Sequence, residues 1–219
     1  IEKELYSSNA TIKNLRMKTP IILGITGGIG SGKSYVTRIF SALGVPSYDS
    51  DARTKQLYRE DPALRELLIG ILGPDVFSNG EPDTRKIASI IFNNTDLLKQ
   101  INRTVHPYVV RDFNKWAAAC HAPYVIFESA ILLEMDPPFR ATRVLTVSAD
   151  RELRLHRTAG RDNVRIQSVM ARMDKQWTDE QREAKADFVV LSDDKQALLP
   201  RVLEVHQYML NLTNNLNEN

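Results

Sequence analysis

The chain has 219 residues, 42% hydrophobic and 26% charged, which is typical of a globular protein that buries a core without disulfides. Its net charge of +2 predicts no nucleic-acid partner, and its lone cysteine, Cys120, excludes an intramolecular disulfide or a multi-cysteine zinc site. No apolar run reaches the length of a membrane span and no signal peptide is evident, so we expect a cytoplasmic protein with no membrane partner.

The first segment precedes a strand-like run. Met17 stands just before "KTPIILGITGG", so one interpretation makes residues 1–16 an upstream or non-native extension. The alternative is a genuine N-terminal helix, and the sequence leaves both open.

A strand–loop–helix–strand unit follows. The apolar run "PIILGIT" predicts a buried parallel strand. In "GKSYVTRIFSAL" the apolar residues recur at helical spacing, and Gly44 predicts the helix end. "VPSYDSD" predicts a second strand that runs into two aspartates, which completes a βαβ unit of an α/β fold.

Residues 52–121 are mostly helical in pattern and too long for a plain crossover, so we expect a helical insertion. Three further strands are predicted in "YVIFES", "RVLTVSA" and "FVVLS". A closing helix is expected to start at a cap, Asp193 or Asp194, with Pro200 kinking it or starting a second segment.

The glycine-rich stretch after the first strand carries the strongest motif. Gly27-x-x-x-x-Gly32-Lys33-Ser34 fits the phosphate-binding P-loop. Glycines let successive N–H groups point at an anion, and the start of the helix adds its positive end. Lys33 would reach the outer phosphates and Ser34 would bind Mg²⁺. The motif predicts nucleotide binding without choosing between ATPase, GTPase and kinase.

Two aspartates stand where the second strand ends. In an open α/β sheet, ligands bind beyond the carboxyl ends of the strands, so Asp51 can face both a γ-phosphate and an acceptor hydroxyl. It would orient that hydroxyl and accept its proton late. The D-x-D spacing along an extended segment would place Asp49 on the same face. The alternative is that Asp51 only caps the next helix.

The charged segment 150–176 is predicted to form a lid that closes over a nucleotide with its arginines, although a solvated helix face is the alternative. Glu128 ends the third strand and could contact magnesium through water, face the acceptor or cap a helix. The sequence has no N-K-x-D stretch, which disfavours a GTPase.

Taken together, the motifs resemble the dephospho-CoA kinase family over about residues 20–212. "GITGGIGSGKS" resembles its P-loop, "YDSD" its I-D-A-D, "INRTVHP" its L-x-H-P and "SAILLE" its P-L-L-x-E, while "RTAGRD" and "ARMDKQ" resemble its lid. The resemblance implies a three-layer P-loop kinase fold with a five-stranded parallel sheet in the order 2-3-1-4-5. It also implies a nucleotide-binding core at 17–51 and 122–215, a CoA-binding subdomain at 52–121 and a small lid at 150–176.

The activity implied by the resemblance is phosphorylation of the ribose 3′-hydroxyl of dephospho-CoA by ATP with Mg²⁺, the last step of coenzyme A synthesis. Asp51 and Lys33 would be the catalytic residues. The nucleotide would be bound by P-loop residues and arginines, namely Gly28, Ile29, Gly30, Ser31, Gly32, Lys33, Ser34, Tyr35, Arg157, Arg161 and Arg172. The acceptor would be bound by Asp49, Asp51, His106, Glu128, Ile131, Leu132 and Glu134.

The sequence departs from the family pattern at several positions. Tyr35 stands where the family usually has threonine, and Ala130 replaces a proline. The family's asparagine after the last strand is absent from "FVVLSDDKQ", where Ser192 lies. Two alternatives therefore stay open: another small-molecule kinase such as shikimate kinase, and a nucleotide-binding module without catalysis.

Overall fold

The computed structural model describes residues 20–92 and 94–218, so the proposed extension at 1–16 lies outside the described residues. Five parallel strands form the central sheet; they are β1 Ile22–Thr26, β2 Ser47–Asp49, β3 Val125–Glu128, β4 Arg143–Ser148 and β5 Phe188–Leu191. Their order across the sheet is β2-β3-β1-β4-β5. The predicted order 2-3-1-4-5 is confirmed.

Helices cover both faces of this sheet. They are α1 Lys33–Ala42, α2 Ser50–Glu60, α3 Pro62–Leu72, α4 Thr84–Phe92, α5 Thr95–Ala118, α6 Arg151–Asp162, α7 Ile166–Met173, α8 Asp179–Glu183 and α9 Leu198–Glu218. A short hairpin consists of two antiparallel strands of two residues each, Phe77–Ser78 and Glu81–Pro82. Within the part of the chain that the structure describes, every helix is too short or too polar to cross a membrane.

Side chains alternate along the strands and build one apolar core on each face. On one face, Leu23 and Ile25 of β1 pack in a cluster with Phe40 of α1 and Met209 of α9. On the other face, the cluster joins β3 to the helices of the insertion, for example through Phe127. The result is the three-layer α/β arrangement that the sequence predicts.

The insertion is anchored to the sheet by aromatic rings. Phe113 of α5 packs edge-to-face on Phe127 of β3, with ring centroids 4.9 Å apart. Phe127 in turn stacks on Phe139, with centroids 4.0 Å apart. Such pairs contribute about 0.5–1.5 kcal/mol each beyond their buried area, so α5 is held rigidly beside the carboxyl end of β3.

Gly24, in the middle of β1, marks a close approach to the loop after β3. A Cβ atom there would lie 2.6 Å from the side chain of Leu132 and 3.0 Å from that of Ala141. Leu132 is buried and belongs to the core. The side chain of Leu132, a predicted acceptor contact, therefore packs over the sheet in this structure, while its neighbour Ile131 faces a cavity described below.

The closing helix begins later than predicted. Its first residue is Leu198, and Asp193 instead accepts hydrogen bonds from the N–H groups of Lys195 and Gln196 in the preceding turn. Pro200 lies in the first turn of α9, where a missing N–H costs no helical hydrogen bond. The expected kink or break at Pro200 is therefore wrong, because α9 runs through it as one helix.

Candidate active site

The P-loop turns sharply between β1 and α1. Gly30 and Gly32 have φ angles of 79° and 91°, a region that side chains with a Cβ atom rarely adopt. Gly32 is the N-cap residue of α1 and has no side chain to cap it. The first N–H groups of α1 are thus left for a ligand, as the motif predicts.

The back of the P-loop is supported by α6. A Cβ atom on Gly28 would lie 1.9 Å from Nη1 of Arg154, and one on Gly30 would lie 2.5 Å from the Arg154 carbonyl oxygen and from Oγ1 of Thr158. Arg154 and Thr158 are buried. The loop glycines are therefore required for packing against α6 as well as for the backbone turn.

The tip of the P-loop contacts the segment predicted to be a lid. The Ile29 N–H donates to Oε1 of Gln176 at 3.0 Å. Its side chain packs against the small cluster of Leu155, Val169 and Met173. Ile29 thus joins the phosphate-binding loop to α6 and α7, and it also lines the cavity in front of the loop that is described next.

A cavity of about 430 Å³ opens in front of the loop; we call it the P-loop cavity. It is lined by residues 27–35 together with Arg38, Asp49, Asp51, Ala130, Arg157 and Arg161. Most of the predicted nucleotide-binding residues are therefore brought together.

Lys33 and Ser34 meet Glu128 at the carboxyl end of β3. The Lys33 ammonium lies 2.5 Å from Oε1 of Glu128, and the Ser34 hydroxyl donates to the same oxygen at 2.8 Å. Burial alone would raise the pKa of Glu128, but the charge and hydrogen bond of Lys33 bring it below its ordinary value. Glu128 is therefore an ionised group beside the first turn of α1, and it caps no helix.

The two aspartates have different roles. Asp49 is the N-cap of α2, and its Oδ1 accepts from the N–H groups of Asp51 and Ala52 at 3.0 Å each. The helix therefore starts between the two aspartates, and they do not share one face of an extended segment. The capping alternative applies to Asp49, while Asp51 lies in the first turn of α2 with its side chain free of that task.

Asp51 has an unusual electrostatic environment. Solvent reaches its side chain through the cavity, yet the protein packed around it removes much of the bulk water, which raises its pKa. Asp49 and Glu128 act in the same direction, and Lys33 opposes them. A carboxylate with a raised pKa is a better proton acceptor than an ordinary one.

A second, largely apolar cavity of about 300 Å³ lies between the sheet and the insertion; we call it the insertion cavity. Asp51, Ser129, His106 and Ile131 are among its lining residues. Asp51 lines both this cavity and the P-loop cavity. His106 is buried, its Nδ1 has no hydrogen-bond partner among the described residues, and burial lowers its pKa.

Two of the three predicted arginines, Arg157 and Arg161, line the P-loop cavity. Arg172 instead bonds to Asp162 at 3.0 Å, and Arg161 also bonds to Asp162, which lowers the pKa of that carboxyl to about 2. Arg172 is absent from the lining of the P-loop cavity, and its nucleotide contact stays a prediction.

Glu134 belongs to a buried chain of charges that the sequence did not reveal. Its carboxylate lies 3.3 Å from Arg182, which is 1% exposed. Arg182 is also 3.0 Å from Asp179, and Asp179 is 3.4 Å from Arg154 behind the P-loop. Glu134 is thus paired with a cation and lines neither cavity, so its contact with the acceptor stays a prediction. Helical spacing could have indicated that Arg154 is buried, because this residue lies one turn before Thr158 on the same face of α6.

A P-loop, an ionised acid beside its lysine, and a second carboxylate shared by two cavities form a coherent site. The P-loop cavity suits a nucleotide phosphate chain, and the insertion cavity suits a separate molecule whose hydroxyl can reach Asp51. The sheet order and this site define a P-loop kinase of the kind that phosphorylates small molecules.

Comparison with known proteins narrows the class. The model of the dephospho-CoA kinase family matches residues 21–197. A dephospho-CoA kinase of Porphyromonas gingivalis is 38% identical over 186 residues, which is 84% of this chain and 92% of the relative. One of Bacteroides fragilis is 35% identical over 190 residues, 86% of this chain and 93% of the relative. The chain belongs to the dephospho-CoA kinase family.

Solved structures agree with the fold. The crystal structure of TT1252 from Thermus thermophilus is 31% identical and superposes with a TM-score of 0.78, covering 88% of this chain and 99% of that one. A dephospho-CoA kinase from Campylobacter jejuni superposes with a TM-score of 0.54 at 22% identity, covering 88% and 98%. At that identity the second likeness supports the fold alone.

Proposed function

We propose that this kinase transfers the γ-phosphoryl group of ATP to the ribose 3′-hydroxyl of dephospho-CoA, giving CoA and ADP. The observation that carries the proposal is the position of Asp51, which lines both the P-loop cavity and the insertion cavity. A group at that junction can touch an acceptor hydroxyl while the phosphate donor lies on the other side.

The donor side follows from the P-loop. The N–H groups of residues 32–34 and the positive end of α1 would hold the β- and γ-phosphates. Lys33, now paired with Glu128, would turn toward the γ-phosphate. Arg157 and Arg161 would place charge on the transferring oxygens, with residues 150–176 forming the proposed lid.

Magnesium fits the oxygen atoms beside the phosphates. The Ser34 hydroxyl and the Glu128 carboxylate lie 2.8 Å apart, and hydroxyl, carboxylate and water oxygens are the ligands this cation prefers. Ser34 would hold it directly and Glu128 through water. When bound, the ion would neutralise charge that develops on the phosphates.

The acceptor side consists of the insertion cavity, which lies between the sheet and the proposed substrate subdomain at 52–121. Its apolar lining, including Ile131, would bury part of dephospho-CoA, and His106 is among the residues that line it. Asp51 would accept a hydrogen bond from the 3′-hydroxyl and take its proton as the O–P bond forms. The phosphoryl-transfer step needs little prior deprotonation because its transition state is loose.

The test is an ADP-release assay with ATP, Mg²⁺ and either dephospho-CoA or shikimate, followed by mass measurement of the product. We expect turnover with dephospho-CoA and a product heavier by one phosphoryl group. Turnover with shikimate alone would replace the proposed acceptor. ATP binding without turnover of either acceptor would support a non-catalytic nucleotide-binding module instead.

A further inference from the structure

Tyr35 is a large aromatic residue left exposed beside the phosphate-binding loop. It lies in the first turn of α1, directly after Lys33 and Ser34, and 55% of it is exposed. The guanidinium of Arg38, one turn later, lies 5.5 Å from the centre of its ring. Its ring therefore contacts one cation but remains open to a planar ligand.

A third cavity, of about 430 Å³, adjoins the P-loop cavity beside this residue; we call it the side cavity. Three residues line both of them: Gly32, Tyr35 and Arg157. Ser192 and Asp194, in the loop after β5, line only the side cavity. Any ligand that extends from the phosphate-binding loop into the side cavity must pass between these shared residues.

The walls of this passage suit a nucleoside. Arg157 donates to Ser192 Oγ at 3.2 Å and also pairs with the Asp194 carboxylate, so its guanidinium is held in place. An aromatic ring and a guanidinium plane both stack on a nucleobase. A phosphate chain alone could use the guanidinium but would gain nothing from the aromatic ring.

We propose that Tyr35 is a nucleoside-binding residue of the phosphate donor: its ring packs against the sugar and base that extend from the P-loop cavity into the side cavity. The inference rests on the proposed function for the identity of the donor, and it adds a residue that determines donor affinity. Tyr35 would act through its ring, with the hydroxyl contributing little.

Two ligands separate the role of the ring from phosphate binding. The dissociation constants of ATP and of inorganic tripolyphosphate are measured by calorimetry for the native chain, Tyr35→Thr and Tyr35→Phe, without acceptor. We expect Tyr35→Thr to weaken ATP about tenfold or more and to leave tripolyphosphate unchanged, while Tyr35→Phe binds both as the native chain does. Unchanged ATP affinity in Tyr35→Thr, or equal weakening of both ligands, would overturn the proposal.

These titrations contain no acceptor, so they do not depend on dephospho-CoA being the substrate. If dephospho-CoA is not phosphorylated but Tyr35→Thr still discriminates ATP from tripolyphosphate, the acceptor assignment fails and the role of Tyr35 stands. If dephospho-CoA is phosphorylated and Tyr35→Thr has the native KM for ATP, the role of Tyr35 fails and the activity stands.

Discussion

The Lys33 ammonium and the Glu128 carboxylate form an ion pair that joins the P-loop to the end of β3, with 2.5 Å between Nζ and Oε1. Lys33, which the P-loop motif assigns to the γ-phosphate, is therefore paired with the Glu128 carboxylate in this structure. Donor binding must exchange this pair for contacts with phosphate.

Glu128→Gln removes the charge but keeps an amide oxygen. We expect kcat to fall about 10- to 100-fold, because Glu128 supports the proposed magnesium position and orients Lys33. The affinity for ATP, measured with a chelator that removes Mg²⁺, should not weaken, because the Glu128 carboxylate that competes for Lys33 is gone. A variant with native kcat would show that Glu128 only stabilises the fold.

Asp51→Asn tests the acceptor-side carboxylate. The asparagine cannot take the proton, so kcat should fall at least about 100-fold, while the dissociation constant for ATP stays close to the native value. Initial rates and calorimetry with ATP measure the two quantities. Near-native turnover would remove Asp51 from the proposed role.

Asp49→Asn should move the acid limb of the activity profile to lower pH. Asp51 works as a carboxylate, so activity falls as the pH drops through its raised pKa, and the negative charge of Asp49 contributes to that rise. A neutral asparagine removes this contribution, which lowers the pKa of Asp51. Measuring kcat/KM against pH tests the shift, and a limb displaced to higher pH would contradict it.

The matched variant Asp49→Ala separates charge from capping. Asparagine can still accept hydrogen bonds from the N–H groups of Asp51 and Ala52, whereas alanine cannot. We expect Asp49→Ala alone to lower the free energy of unfolding, by about 1 kcal/mol, measured by urea denaturation.

Gly30→Ala should damage the P-loop. Its φ of 79° costs at least about 1 kcal/mol for alanine, and the new methyl would meet the Arg154 backbone at 2.5 Å. We expect a lower melting temperature and weaker ATP binding. Gly160→Ala in α6 is the control: it meets open space among the described residues and should be neutral or stabilising by up to about 1 kcal/mol.

Arg182→Met should unfold the protein more easily. Removing the buried cation deprives the partly buried carboxylates of Glu134 and Asp179 of their shared partner and leaves Asp179 with Arg154 alone, which costs up to about 3–5 kcal/mol. Burial already raises the pKa of both acids while Arg182 opposes the rise, so both values climb further in the variant. The loss in free energy of unfolding is therefore largest at a pH where both carboxylates are ionised in the unfolded chain. It becomes smaller as the pH falls toward the ordinary pKa of these acids.

A second arginine provides the comparison for that experiment. Arg201 pairs with Glu204 at the same i,i+3 spacing as Arg182 and Asp179, but both side chains are at least half exposed. Arg201→Met should change the free energy of unfolding by less than about 1 kcal/mol at any pH. Equal losses in the two variants would show that burial of Arg182 is unimportant.

The P-loop could be predicted from sequence because its chemistry is local: the spacing of glycines, Lys33 and Ser34 defines the turn. Which of Asp49 and Asp51 caps α2 could not be predicted, because the start of the helix decides it, and helix ends are set by competing hydrogen bonds. Ile131 and Leu132 are adjacent and both apolar, so only the packing of Leu132 over Gly24 shows which one faces a cavity.

The ion pair of Arg182 and Glu134 could not be predicted from the sequence. Its partners are 48 residues apart in the chain, and an arginine in a short charged segment usually points to solvent. The order of the strands could be predicted, because it is implied by a family resemblance that several motifs support along almost the whole chain.

The close approach of Leu132 to Gly24 sets a condition for building chimeras of this enzyme. The loop that carries the acceptor-side residues is seated on the middle strand of the nucleotide-binding sheet, not only at its edge. Exchanging residues 52–121 for the insertion of another kinase would leave that seat intact. Moving the loop at 129–135 into another kinase would require that kinase to have a glycine at the position of Gly24, or a side chain smaller than leucine in place of Leu132.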